Sequence, residues 1–347
     1  MISHSRPTLD QDDYRHVMNV MKSGMLVQGE QVVRFEENLS SFIGVKNGVA
    51  VSSGTAAIHL SLIALGIGRE DEVIILSYVC PALLNAVMYV NAVPVIADID
   101  RSTFNIDADD LKKRITKKTK AIIVPHMFGL AAEIDRIISF GIPVIEDCAQ
   151  SIGALSQDHY TGTFGVCSIF SFYATKMLAT GEGGMVLSDD DGLSKIIREL
   201  RDYDKKDLYS VRYNYKMTDI QAALGISQLK KVSSFIERRR KIADLYAGAL
   251  QKKTFPIPEV PGERKHIYYR YVLLLDNASG FIKEMKRKGI ECKRPVFKPL
   301  HRYLGLSGYP ATKEIWNKAV SIPIYPSLSD EEVRRITEAL SSVNLTT

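Results

Sequence analysis

Apolar side chains along this chain fall into two kinds of pattern, short uninterrupted runs and longer stretches with helical spacing. Residues 10–23 and 30–43 repeat apolar positions every three to four residues, and Ser23-Gly24 and Gln28-Gly29 punctuate them, which predicts two helices. From residue 48 the runs shorten and become apolar throughout. Stretches 48–51, 72–76, 94–97, 120–124, 142–146, 168–172 and 185–188 read as strands. Helices are predicted between them, among others after 54, over 81–91 and over 191–200. Short all-apolar strands alternating with helices imply a mostly parallel sheet covered on both faces, and in such sheets ligands gather at the carboxyl ends of the strands.

Beyond residue 200 the pattern changes. Thr218 and Gln221 form a capping-box signature that opens a long helix, or a pair of helices, reaching about 250. Pro256, Pro258 and Pro261 mark a linker. A strand over 268–275, a helix over 279–288 and a terminal amphipathic helix over 330–343 follow. The expected organisation is α/β, with a large domain over 1–235 and a small C-terminal α+β domain over 236–347. Internal repeats and low-complexity tracts are not evident.

Composition refines this picture modestly. With 347 residues of which 46% are hydrophobic, the chain can fill two cores. Its 45 lysines and arginines exceed its 40 acidic residues by a margin of +5, spread along the chain. Clusters 112–114 and 238–241 fall on predicted helices and read as solvated faces, so nucleic acid is not an expected partner. The cysteines Cys80, Cys148, Cys167 and Cys292 are too far apart for a metal-ligand motif, and a reducing cytoplasm is their expected home. The first residues lack the apolar core of a signal peptide. Stretch 73–97 is strongly apolar, but Pro81, Asn85, Asn91 and Pro94 interrupt it, so strand, helix and strand are expected there and not a membrane span.

Chemistry enters at the strand ends. Lys176 lies among Phe170, Phe172, Tyr173, Met177 and Leu178, surroundings whose desolvation would favour a neutral, nucleophilic amine; the alternative is a lysine whose stem covers apolar surface while its head reaches water. Gly54 and Thr55 open a helix whose free amides can hold a phosphate, although Ser52, Ser53 or Thr55 can equally be a plain cap. Asp147 follows an apolar run, Gln150 lies one helical turn on, and Ser171 precedes the lysine. His126 is expected to support the pocket from the core. Together these residues suit pyridoxal 5′-phosphate, which requires a lysine for its aldehyde, amides and hydroxyls for its phosphate and a carboxylate for its ring nitrogen.

The order of Ser52-Ser53-Gly54-Thr55, Glu146-Asp147-Cys148-Ala149-Gln150, Phe170-Ser171-Phe172-Tyr173-Ala174-Thr175-Lys176 and Tyr213-Asn214-Tyr215-Lys216-Met217 resembles the DegT/DnrJ/StrS group of sugar aminotransferases, fold-type-I pyridoxal phosphate enzymes. The resemblance covers nearly the whole chain, including Ser321-Ile322-Pro323-Ile324-Tyr325-Pro326. It implies that Lys176 carries the cofactor and that Asp147 faces the ring nitrogen. It implies that Gln150 binds near the ring hydroxyl and that Gly54, Thr55 and Ser171 hold the phosphate. By the same resemblance, Asn214 reaches the phosphate of the neighbouring subunit in a homodimer with a shared active site.

Family members usually place an aromatic ring on the cofactor where this chain has Cys80. Either Tyr78 takes that role or the enzyme does without it. His301 and Tyr325 match positions lining the substrate cleft, packed interface residues being the alternative, and residues 25–29 resemble a substrate-side loop. The implied activity is ping-pong transfer of an amino group from an amino acid, glutamate by expectation, to a nucleotide-linked keto-sugar in amino-sugar and polysaccharide biosynthesis. A related sugar dehydratase carries histidine in place of the lysine, which Lys176 argues against. A non-catalytic regulatory paralogue is the other alternative. A dinucleotide fold is disfavoured because Gly66-Ile67-Gly68 lacks a third glycine.

Overall fold

The strands pair into one seven-stranded sheet. A computed structural model describes residues 1–250 and 260–342, so Pro256 and Pro258 of the expected linker, and the end of the predicted terminal helix at Val343, lie outside the described residues. The chain forms β1 (Asn47–Val51), β2 (Glu72–Leu76), β3 (Val93–Ala97), β4 (Thr119–Pro125), β5 (Val144–Asp147), a two-residue hairpin of β6 (Leu155–Ser156) and β7 (His159–Tyr160), β8 (Cys167–Ser171) and β9 (Gly184–Ser188). Without the hairpin, these order as β1-β9-β8-β5-β4-β2-β3. Neighbours pair in parallel from β8 to β3, and β9 runs against both β1 and β8. Interior strands are buried on both faces, which is why they read as unbroken apolar runs.

Helices α1 (Gln11–Ser23), α2 (Glu30–Ile43), α3 (Gly54–Ala64), α4 (Ala82–Tyr89), α5 (Ala108–Arg114), α6 (Ile134–Ile138) and α7 (Asp191–Leu200) cover the sheet. The expected long helix is a pair, α8 (Asp219–Leu229) and α9 (Val232–Leu250), and the Thr218–Gln221 capping box is present. α2 has glycine at its N-cap and borrows a cap from α8. The Asp219 carboxylate accepts the N–H groups of Gly29 (2.7 Å), Gln31 (3.3 Å) and Val32 (3.1 Å). A β-carbon at residue 29 would lie 2.8 Å from Asp219 Oδ2, so the borrowed cap requires Gly29. Buried Glu36 then ties α2 to the sheet edge through Arg201, Arg198 and the Ala50 N–H.

α9 passes from one core to another. Val232, Phe235 and Ile236 pack with α2, α8, β8 and β9, whereas Ile242, Ala243, Tyr246 and Leu250 belong to a second core. That second core is built on β11 (Tyr271–Leu274), α10 (Ala278–Arg287), β12 (Ala319–Ile322) and α13 (Asp330–Ser342), after β10 (Arg264–Lys265) has paired with β6. Ile2 joins it too, so the first residues sit apart from the rest of the N-terminal portion. In the other direction, α11 (Leu300–Tyr303) and α12 (Pro310–Lys318) contribute Leu300, Ala311 and Ile315 to the core of the large sheet. Asp98 caps α12 by accepting from Ala311 and Thr312.

Two expectations are corrected. The strand expected over 268–275 begins only at Tyr271. Tyr268 has φ +51 and donates its N–H to His266 Nδ1 at 2.7 Å, a turn stiffened by stacking of the two rings. Arg239 is no part of a solvated face: it is buried, and its Nη1 donates to the carbonyls of Tyr268, Tyr269 and Ile324.

Candidate active site

The carboxyl ends of β1, β8, β5, β4 and β2 lie side by side on one edge of the sheet, and the predicted chemistry collects there. After β8, residues 172–183 fold back on themselves, with Thr180 N–H on Phe172 O and Lys176 N–H on Tyr173 O. Phe172, Met177 and Leu178 turn into the core beneath, Phe172 against Phe35 with ring centroids 5.0 Å apart. Of the apolar neighbours that were expected to surround Lys176, Phe170, Phe172, Met177 and Leu178 therefore pack in the core, and Tyr173 is exposed. Lys176 is partly exposed, and its Nζ lies 5.3 Å from the ring centroid of Tyr269.

Asp147, at the end of β5, is 7% exposed. Its Oδ1 accepts the Ala149 N–H at 3.0 Å, and no donor among the described residues reaches Oδ2. Burial pushes this carboxyl up, against the pull of the Ala149 hydrogen bond and of the Lys176 charge. Beside it, His126 and Glu146 are fully buried. His126 Nδ1 accepts the Ala132 N–H at 3.0 Å, which places the ring proton on Nε2, where it is donated to Glu146 Oε2 at 2.9 Å. Glu146 also accepts N–H groups from Gly162, Phe164 and Gly165. Cys148 completes a group of three potential metal ligands, but both His126 nitrogens and both Glu146 oxygens are already bonded, and burial pushes the thiol well up.

Across the edge, α3 starts at Gly54 directly against Ser171. A β-carbon at residue 54 would lie 2.8 Å from Ser171 Cβ, so glycine lets the helix start come directly against the end of β8. Ser53 is the N-cap, accepting from Ala56, while the N–H groups of Gly54 and Thr55 have no acceptor among the described residues. Gln150 gives its amide oxygen to the Phe128 N–H at 3.0 Å, which leaves its amide donors for a ligand. Asn214 is exposed, between Tyr213 and Tyr215, whose rings stack with centroids 5.0 Å apart.

Three predicted site residues are placed differently. Tyr78 is completely buried and edge-on to Phe128, with no free face for a ligand ring; its hydroxyl has no partner among the described residues, and burial pushes the phenol up. Cys80, two residues on, is exposed. His301 is an interface residue, its Nδ1 2.6 Å from Ser77 Oγ and its ring stacked on Tyr309. Tyr325 is 3% exposed in the second core, because the Ser321–Pro326 segment runs through that core and not along a cleft. Sequence reasoning missed Tyr269 and Arg270, since the run 268–271 read as plain strand, and it missed Glu146, hidden beside Asp147.

Residues 7–341 match the DegT/DnrJ/EryC1/StrS aminotransferase family. GDP-perosamine synthase of Caulobacter vibrioides is 33% identical, the match covering 99% of this chain and 98% of that protein. Spore coat polysaccharide biosynthesis protein SpsC of Bacillus subtilis is 34% identical over 99% and 97% of the two chains. Among solved structures, the aminotransferase TlmJ from Streptoalloteichus hindustanus superimposes with a TM-score of 0.93 at 28% identity, over 99% of this chain and 98% of that one.

Proposed function

The chain belongs to the DegT/DnrJ/EryC1/StrS aminotransferase family, and from that premise we propose that Lys176 is the residue through which it holds pyridoxal phosphate. The protein is a pyridoxal phosphate-dependent sugar aminotransferase. Its acceptor is a nucleotide-linked keto-sugar, a reading supported by the similarity to GDP-perosamine synthases, and its donor is an amino acid, glutamate in the first instance. The observation that carries the assignment of Lys176 is the convergence of this lysine, Asp147 and the close Gly54–Ser171 contact at one edge of the sheet.

These residues fit the cofactor. The Gly54 and Thr55 amides, without an acceptor among the described residues and set directly beside Ser171, suit the phosphate. The free Oδ2 of Asp147 suits a protonated ring nitrogen, whose positive charge would offset the desolvation that now disfavours the carboxylate. The amide donors of Gln150 suit the ring oxygen. Pyridoxal phosphate supplies an aldehyde that condenses with amines and a ring that takes up an electron pair.

Once the donor's nitrogen has displaced it, Lys176 would carry the proton from the donor's Cα to the cofactor's former aldehyde carbon, and in the second half-reaction it would carry a proton from that carbon to the sugar carbon. Asn214, exposed on this protomer, serves the phosphate of a second copy, so the active unit is a homodimer. Domain division falls within α9, between Ile236 and Ile242, where the helix changes cores. No helix among the described residues is long and apolar enough to cross a membrane.

Adding L-glutamate to the yellow protein should bleach the cofactor band and release one equivalent of 2-oxoglutarate, and a nucleotide keto-sugar should restore the band. Bleaching by glutamate with restoration by no keto-sugar would remove the acceptor assignment. No bleaching by any amino acid would remove the proposed transfer.

A further inference from the structure

Segment 266–270 crosses the strand ends beside Lys176, held there by main-chain bonds. Ile267 N–H donates to Gly129 O (3.0 Å) and Arg270 N–H to Phe128 O (3.3 Å). The approach is so close that a β-carbon at Gly129 would lie 2.6 Å from Ile267 Cγ1. This fastening gathers three cations around one phenol. Lys176 Nζ lies 5.3 Å and Arg270 Cζ 4.8 Å from the Tyr269 ring centroid, and Arg239 lies buried behind it, donating to the Tyr269 carbonyl. Arg270 Nη2 contacts the Tyr269 hydroxyl at 3.4 Å, and Nη1 contacts His4 Nδ1 at 3.2 Å.

Among the described residues no carboxylate lies within ion-pair distance of Lys176, Arg239 or Arg270. Burial alone would raise the Tyr269 phenol, yet the charges of Lys176 and Arg270 bring it down to about 8. This wall of the site therefore favours a negative group. Arg239 is buried, with its Nη1 on three backbone carbonyls, so the cation a ligand can touch is Arg270, which is partly exposed.

We infer that Arg270, seated on the Tyr269 ring, binds a carboxylate of the amino-acid donor. The inference rests on the proposed function. The heads of Lys176 and Arg270 are no further apart than the sum of their two distances to the ring. A donor whose nitrogen replaces the lysine's brings an α-carboxylate two bonds away and, in glutamate, a second one further out. A guanidinium offers either of them a charge-assisted, two-pronged hydrogen bond.

The test is calorimetric titration of the cofactor-loaded protein with glutarate, a dicarboxylate that has no amino group to react. Single-turnover bleaching by L-glutamate and by L-alanine runs in parallel. Arg270→Leu should weaken glutarate and raise the half-saturating L-glutamate about ten- to hundredfold, the worth of one hydrogen bond to a charged group. Its limiting bleaching rate should stay within about threefold of wild type, because the group lost binds and does not transfer protons. Arg270→Lys should recover part of both affinities. If Arg270→Leu does not accumulate, Arg270→Gln, which keeps a donor for His4 but no charge, should show the same loss. An equal loss for L-alanine assigns the α-carboxylate to Arg270, and a loss confined to L-glutamate assigns the side-chain carboxylate. Unchanged glutarate affinity together with unchanged half-saturation for both amino acids overturns the inference. If no amino acid bleaches even the wild type, the proposed function falls, while the glutarate titration still decides for or against Arg270.

Discussion

Replacing Glu146 with glutamine changes one oxygen into an NH2 group and leaves the shape nearly intact. In the wild type, Oε1 accepts the N–H groups of Phe164 (2.7 Å) and Gly165 (2.8 Å), and Oε2 accepts Gly162 N–H (2.8 Å) and His126 Nε2 (2.9 Å). Every partner is a donor, so whichever way the amide is turned, its NH2 faces two other donors. Both bonds on that side vanish, and their donors are left buried or half-buried without an acceptor. Two hydrogen bonds to a charged group at roughly 1.5–3 kcal/mol each give an expected loss of about 3–6 kcal/mol. That is a large share of the roughly 5–15 kcal/mol by which a typical fold is stable. Urea unfolding of the cofactor-free proteins measures the loss directly as a shift in midpoint at constant slope. Because Asp147 follows Glu146 on β5, the variant should also release cofactor faster. A loss below about 1 kcal/mol, within the range of a single neutral hydrogen bond, would refute the reasoning that the carboxylate holds four donors at once.

Other residues give further tests. Burial raises the folded-state pKa of Asp147, so its stabilising contribution is present while the group is protonated, below its unfolded pKa, and is lost as pH rises through the folded value. Cofactor-free Asp147→Asn should therefore melt above wild type near pH 7, with the gap closing by about pH 3, below the ordinary aspartate range, while its cofactor binding weakens; a variant less stable at both pH values would contradict this. Gly54→Ala should lower stability by about 1–3 kcal/mol and weaken cofactor binding about tenfold, since the new methyl meets Ser171 Cβ at 2.8 Å. Gly248→Ala in α9, where nothing lies within 4 Å, should be neutral or stabilising by up to about 1 kcal/mol. Cys80→Phe should slow cofactor release by the worth of one ring contact, about 0.5–1.5 kcal/mol; an unchanged release rate would mean that position 80 does not face the ring.

The sheet was legible because its strands are buried on both faces, which leaves apolar runs bounded by turn residues. β2 and α7 carry the predicted limits, 72–76 and 191–200. The direction of β9 was not legible: its apolar run is the same for either orientation, and the reversal depends on the short return from residue 172 to 183. Lys176, Asp147 and Gly54 could be proposed from sequence because each stands at a strand end among residue types that suit one ligand. Contacts between distant segments left no local pattern. Asp219 capping α2 across 190 residues is one example, and Asp98 capping α12 across 213 is another. Tyr269 belongs with them, because it reaches Lys176 only through the fastening of residues 267–270 to Phe128 and Gly129. Phe170, Phe172, Met177 and Leu178 misled, since their side chains pack in the core while the lysine is partly exposed.

Lys176 is the residue proposed to hold the cofactor. Borohydride reduction of the yellow protein, followed by proteolysis and mass spectrometry, tests it by locating the peptide that carries the reduced pyridoxyl group. The label is expected on the peptide containing Lys176, at one per chain, and should be lost in Lys176→Ala. A label on any other lysine, with Lys176 unmodified, would contradict it.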